Sequence, residues 1–340
     1  MLSRATIGLA FGGLLALAAC GGPPLAIRQF GGPTMGSTYE VKYAADAPVA
    51  RVQAVVAEEL AAFDAAFSNW RPGTEIAKVN AHASLAPLPV SARFGAVLQT
   101  ALDVAVATEG AFDPTVKPLC DVYRAAKKDP AHHLDAQALA AAKPRVGYTL
   151  VKLVDGAVVK ARPDVQLDLD GLVAGAACDA IAVRLAAIGV GSFYLQVTGE
   201  VLCRGVKPDG EPWRIGVVDP ASDATGGETA IRSLPLRDQA LCTSGDYRNA
   251  FVSDGKLVHH VFDPRTGESA HTGVVSASVL APSAAIADAL GTALLVLGVD
   301  ETKRLWPAMQ KLGAAGALFL LPNDDRTFRE VEITWPKDDS

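Results

Sequence analysis

From His259 to Gly298 the chain reads HHVFDPRTGESAHTGVVSASVLAPSAAIADALGTALLVLG, two histidines before an Asp-Pro turn and then a helix almost without charge. A helix this apolar needs a core to lie against. Its polar exceptions, Asp288 and Thr292, are four residues apart and therefore share one face. Ile286, Leu290, Leu294 and Leu297 form the opposite apolar stripe. Two hard oxygen donors on one face suit Mg²⁺, and a histidine such as His260 suits proton transfer. The spacing alone is equally consistent with a partly solvated acid and a Thr hydroxyl bonded back to its own helix.

The rest of the 340 residues narrows the choice. Half are apolar, which is enough for one large domain or two closely packed lobes. The formal net charge is -6, and Lys127-Lys128 is the longest basic run. Nucleic acid is therefore not an expected partner. At the N-terminus, Arg4 precedes the apolar run IGLAFGGLLALAA, and LAAC ends at Cys20. The run is short for a bilayer span and finishes in small residues, as a secretory signal does. LAAC resembles a bacterial lipobox, which implies residues 1–19 as signal peptide, a lipid on Cys20 and a tether over 20–26. The expected location is the bacterial cell envelope, lipid-anchored and facing the periplasm. Cys120, Cys178, Cys203 and Cys242 form no CxxC pair, and both disulfides and buried thiols fit them.

Residues 27–340 read as one domain of mixed hairpins and helices. Strands are expected over AIRQF and STYEVKY, and helices over 51–67 and 91–109. The Ala-rich stretch 121–143 reads as a surface excursion. A hairpin turns at Asp155-Gly156, VQLDL (165–169) reads as a strand, and a helix runs from Gly171 to Ile188. Strands follow over SFYLQV, GEVLCRGV and WRIGVVD, with more around 231–236 and 240–243. The chain closes with helix, helix and a hairpin turning at Asn323-Asp324. This mix predicts an α+β fold with mixed or antiparallel sheets and packed helices. No GxGxxG, Walker A or HExxH motif occurs, so a Rossmann cofactor site is unsupported.

Five segments place polar groups beside Gly or Pro inside apolar runs: GPTMGSTY (32–39), FSNWRPGTEIAKVN (67–80), EGAFDPTVKPL (109–119), LDLDGLVAG (167–175) and LCTSGDYRN (241–249). Glycine lets a backbone approach a ligand, and loops held on rigid elements tend to carry function. With VTGEV, WRIGVVDP, HHVFDPRTG and ADALGTALLVLG, and in this order, they resemble the ApbE family, the FAD:protein FMN transferases. The resemblance covers nearly all the chain after the signal segment. It implies an α+β domain that binds FAD with Mg²⁺ and transfers FMN onto a Thr or Ser hydroxyl of a partner protein, releasing AMP. The implied acceptor is a flavoprotein of membrane electron transport. Related activities are hydrolysis of FAD to FMN and AMP, or flavin binding by a non-catalytic lipoprotein.

The resemblance also assigns residues. Met35, Trp70, Ala111, Phe112, Asp113, Asp170, Ala176 and Phe262 are implied at the FAD site. The main-chain carbonyl of Val173, with Asp288 and Thr292, is implied around the metal. His260 is the implied base. Trp70 stands where the family usually has Tyr, and Asp170 where it commonly has Ser. Ala174 replaces the usual Lys, and Ala176 the usual aromatic. The chemistry fits these residue types. Breaking a pyrophosphate needs its oxygens neutralised, and a Thr hydroxyl needs a base.

Overall fold

A computed structural model describes residues 25–223, 229–245, 250–253, 256–259, 261–325 and 327–337. The signal-like segment, Cys20 with most of the tether, and His260 lie outside the described residues. In chain order the elements are β1 (Arg28–Thr34), β2 (Ser37–Tyr43), α1 (Val49–Phe67), α2 (Glu75–Ala81), β3 (Leu88–Pro89), α3 (Ala92–Ala107), α4 (Lys117–Lys128) and α5 (Ala136–Ala142). Next come β4 (Val151–Val154), β5 (Ala157–Lys160), α6 (Asp170–Ala187), β6 (Phe193–Val197), β7 (Glu200–Arg204), β8 (Trp213–Val218), α7 (Pro220–Asp223), β9 (Ala230–Leu236) and β10 (Gln239–Gly245). The chain continues with β11 (Ala250–Ser253), β12 (Lys256–His259), β13 (Ser276–Ala281), α8 (Ala284–Lys311), β14 (Gly316–Pro322) and β15 (Phe328–Ile333).

Eight strands make one antiparallel sheet in the order β1-β2-β6-β7-β10-β13-β14-β15. The α+β expectation holds. Side chains alternate across this sheet, so each strand serves two layers. One face carries Val41, Leu195, Cys242, Val279 and Phe319 into the main core beneath α1, α3, α6 and α8. The other carries Val201, Cys203, Leu241, Leu280 and Leu318 against Trp213, Ile215 and Leu234 of the β8–β9 ribbon. Burial on both faces explains why SASVLA is buried at all six positions and carries no charge.

Three expectations are corrected. VQLDL is not a strand and carries no regular structure. Asn80 takes the place of a neighbouring strand: its Oδ1 accepts from Leu167 N at 2.6 Å and its Nδ2 donates to Leu167 O at 2.9 Å. Residues 121–143 are not an irregular excursion, because most of α4 and all of α5 lie there. Leu119, Tyr123 and Ala142 form a small core of their own with Val258 and Phe262. The two final helices expected of the chain are the two halves of α8, which meet at a kink where Gly298 has φ 68° and ψ −175°. The helix is also buried on nearly every side rather than along one stripe, since Ala287, Asp288, Ala289, Leu290 and Gly291 are all buried in succession.

Candidate active site

Two hairpin tips and two helices converge on one cleft. Met35 and Gly36 connect β1 to β2 with both φ angles positive, 46° and 75°. That backbone twist suits a two-residue hairpin. Thr198 (φ 54°) and Gly199 (φ 114°) do the same between β6 and β7. Thr198 N donates to Thr38 O at 2.9 Å, which ties the tips together. Met35 and Thr198 line a cleft of ≈ 590 Å³, closed on its other sides by Phe67 and Trp70 and by Asp170, Val173 and Ala174 of α6. The helical spacing 170, 173, 174 defines the face of α6 turned to the cleft.

Trp70 stands on the loop after α1 and is 75% exposed. The loop is pinned by Thr74, whose hydroxyl donates to Ser68 O at 3.0 Å and accepts from Ala77 N as the N-cap of α2. Next to Trp70, Asn69 Nδ2 donates to Asp170 Oδ1 at 2.9 Å. Partial desolvation and the neighbouring Asp168 carboxylate push the pKa of Asp170 up to about 6, although about half of its side chain meets solvent.

Behind this face, α6 and α8 lock together. Gly175 has no room for a side chain: a Cβ there would lie 2.3 Å from Ala284 O. Asp179 of α6 caps the start of α8, accepting from Ala284 N at 2.9 Å, Ala285 N at 3.0 Å and Ser283 Oγ at 2.6 Å. One turn further, Asp288 Oδ2 accepts from Gly175 N at 3.0 Å. Thr292 Oγ1 lies 3.4 Å from where a Cβ on Gly171 would be. The pair 288/292 on α8 thus faces the pair 171/175 on α6. Phe112 closes the same spot, with Cε2 3.2 Å from that Gly171 position.

Neither half of the solvated-acid alternative survives. Asp288 is only 6% exposed. Burial pushes its pKa up to about 7, only partly offset by the Gly175 N–H, and Asp179 adds repulsion. Thr292 makes no bond to its own helix among the described residues. Thr302 Oγ1, by contrast, donates to Gly298 O at 2.6 Å in the usual back-bonded way. A buried carboxylate with no cation beside it among the described residues, four residues from an uncommitted hydroxyl, suits a hard divalent ion. The described residues hold no cluster of three His, Cys, Asp or Glu, so such an ion would rely on Thr and main-chain oxygens, water and ligand phosphates.

The other expected site residues are dispersed. Met35, Trp70, Asp170 and Val173 line the cleft. Ala111 and Phe112 are buried behind it. Asp113 is committed to its loop: Oδ1 accepts from Thr115 N at 2.8 Å and Thr115 Oγ1 at 2.6 Å, and Oδ2 from Tyr148 N at 2.7 Å. Ala176 is buried in the core and does not line the cleft, whereas Ala174 does. Phe262 stacks on Tyr123 with centroids 4.5 Å apart. His260 lies outside the described residues.

The segments singled out in the sequence also hold Asn69, Thr198 and Ser244, for which the sequence alone suggests no role. Ser244 Oγ would lie 2.9 Å from a Cβ on Gly291, beside Thr292. Arg124 fell outside every segment. Its signal was the Lys117-Asp121-Arg124 spacing along one helix face.

Known proteins are similar to this chain in sequence and fold. Residues 35–315 match the ApbE family. Over 282 residues the chain is 32% identical to the FAD:protein FMN transferase of Klebsiella pneumoniae (strain 342), covering 81% of this chain and 79% of that one. It is 30% identical over 335 residues to the protein of the same name from Treponema pallidum (strain Nichols), covering 91% and 89%. Among solved structures, the flavin transferase ApbE from Vibrio cholerae superposes with a TM-score of 0.79 at 28% identity, covering 91% of this chain and 97% of that one. The flavinyl transferase ApbE of Pseudomonas stutzeri, apo form, gives 0.77 at 29% identity, covering 91% and 95%. With its antiparallel sheet, its α6–α8 clasp and the cleft on the other face of α6, the chain belongs to the ApbE family.

Proposed function

We infer that the protein is an FAD:protein FMN transferase, moving FMN from FAD to a hydroxyl of an acceptor protein. The observation that carries this reading is the Asp288/Thr292 pair set behind α6, next to an aromatic-walled cleft on the opposite side of that helix's first turn. The acceptor oxygen attacks the FMN-side phosphorus, the bond to the bridging pyrophosphate oxygen breaks, and AMP leaves. Asp288, Thr292 and the main-chain carbonyl of Val173 would hold Mg²⁺. When bound, that ion neutralises charge on the pyrophosphate. Trp70 and Met35 give apolar surface to the flavin ring, and Trp70 can stack on it. His260 removes the proton from the attacking hydroxyl. The acceptor is a redox protein of the cell envelope, where a lipid on Cys20 holds the enzyme.

The test incubates the protein with FAD, Mg²⁺ and a Thr-containing acceptor domain, followed by mass spectrometry and AMP analysis. The expected result is an FMN adduct on the acceptor with stoichiometric AMP, abolished by EDTA and reduced at least about 100-fold by Asp288→Ala, as for loss of a group that stabilises transition-state charge. FMN and AMP without adduct would instead assign FAD hydrolysis. Intact bound FAD without turnover would leave a binding protein.

A further inference from the structure

Beside the flavin cleft lies a smaller hollow of ≈ 320 Å³, and Asn69 and Trp70 belong to both. Its far wall is one face of α4, with Lys117, Asp121, Arg124 and Lys128. The basic character invites an anion, but the cations nearest the flavin cleft are already engaged. Lys117 Nζ is 2.8 Å from Asp121 Oδ1. Arg124 Nη2 is 3.0 Å from Asp168 Oδ2 and 3.4 Å from Asp170 Oδ2. The guanidinium carbon also sits 5.6 Å from the centroid of the Trp70 ring. Arg124 therefore joins α4 to the start of α6 and to the Trp70 loop, two of the elements that line the cleft.

We propose that Arg124 and Asp170 form a positioning pair that fixes Trp70 as the stacking wall of the flavin cleft. This rests on the flavin-transfer reading and adds to it how the wall is held. An exposed Trp on a loop has several rotamers open to it, and ordering it on binding costs free energy. Here Asp170 uses both oxygens. Oδ1 holds the loop through Asn69, the neighbour of Trp70, and Oδ2 holds the guanidinium that lies against the ring. A planar guanidinium can pair with carboxylates and lie against an aromatic ring at once, which an ammonium does less well. Asp168, itself buried, anchors the arrangement to α6, since its Oδ1 accepts from Asp170 N at 3.1 Å. Trp70 is thus set before flavin arrives, with one face against Arg124 and its other side on the cleft.

The experiment measures Trp70 fluorescence in the wild-type protein, Arg124→Met, Arg124→Lys and Asp170→Ser. Trp70→Phe supplies the background of Trp213, Trp306 and Trp335. Acrylamide quenching reports how firmly the ring is held without any ligand, and titration with FAD gives the binding constant. Arg124→Met and Asp170→Ser are expected to raise acrylamide accessibility of Trp70. They should weaken FAD binding about 5-fold, the scale of one exposed cation–π contact. Arg124→Lys should restore only part of the loss, and KM for FAD should move more than kcat. The proposal is overturned if Trp70 quenching is unchanged in both variants. It is also overturned if Arg124→Met weakens FAD equally in a Trp70→Ala background, because Arg124 would then contact the ligand itself. Absence of FAD binding by the wild-type protein would remove the flavin reading, while the acrylamide result would still decide whether Arg124 and Asp170 hold the ring.

Discussion

At the scale of single residues, Asp288 is the most strained ionisable group of the site. Its pKa lies near 3.8 when unfolded and about 7 in the fold, so the folded protein takes up a proton between those values. The stability contributed by the protonated form is complete at low pH and is lost as pH rises through about 7. For the metal-free protein this amounts to at most about 4 kcal/mol. Urea unfolding in EDTA should show stability falling from pH 4 to pH 8, and Asp288→Asn should flatten that slope. An unchanged slope in the Asn variant would place the titration elsewhere. Asn80 offers a second case. Asn80→Ala removes both bonds to Leu167 and leaves its N–H and C=O unpaired, which should cost about 2–4 kcal/mol and lower the urea midpoint. Substitution by Asp should recover the bond to Leu167 N alone.

Between elements, the clasp of α6 and α8 decides where the site residues stand. Gly175→Ala puts a methyl against Ala284 O, which is backbone and cannot swing away. About 2–4 kcal/mol of destabilisation should follow, read as a lower thermal midpoint. Asp179→Ala removes the cap of α8 and should cost about 1–2 kcal/mol in the same measurement. These contacts also mark the limit of sequence reading. Periodicity found α1, α3 and α6 and the hairpins, because those elements alternate or repeat against a single core. It read α8 as two helices, because one glycine in a run of apolar residues reads the same as a stop or as a kink. It mistook 165–169 for a strand, because an Asn side chain 87 residues away offers the same donor and acceptor as a neighbouring strand. The 288/292 spacing was legible. That it meets 171/175 was not, since nothing local to either helix encodes the other.

For the whole molecule, the sheet separates two layers of different use. The helical side holds the cleft, and the β8–β9 side is a covering ribbon joined to the far edge strand by Arg232, 2.9 Å from Glu330 and 2.6 Å from Glu332. No helix among the described residues is long and apolar enough to cross a membrane. The proposed attachment to the envelope is through a lipid on Cys20. Cys20→Ser should shift the protein from the membrane to the soluble fraction on cell fractionation and leave transfer to a soluble acceptor domain intact. Retention in the membrane fraction would argue against a lipid there. The cap that α6 gives α8 has one more consequence. A chimera that took α8 from a relative while keeping this α6 would keep these contacts only where the new helix set its first N–H groups within reach of Asp179 and its backbone as close to Gly175. Exchanging both helices together carries the contacts along, which makes the pair, not the single helix, the unit to graft.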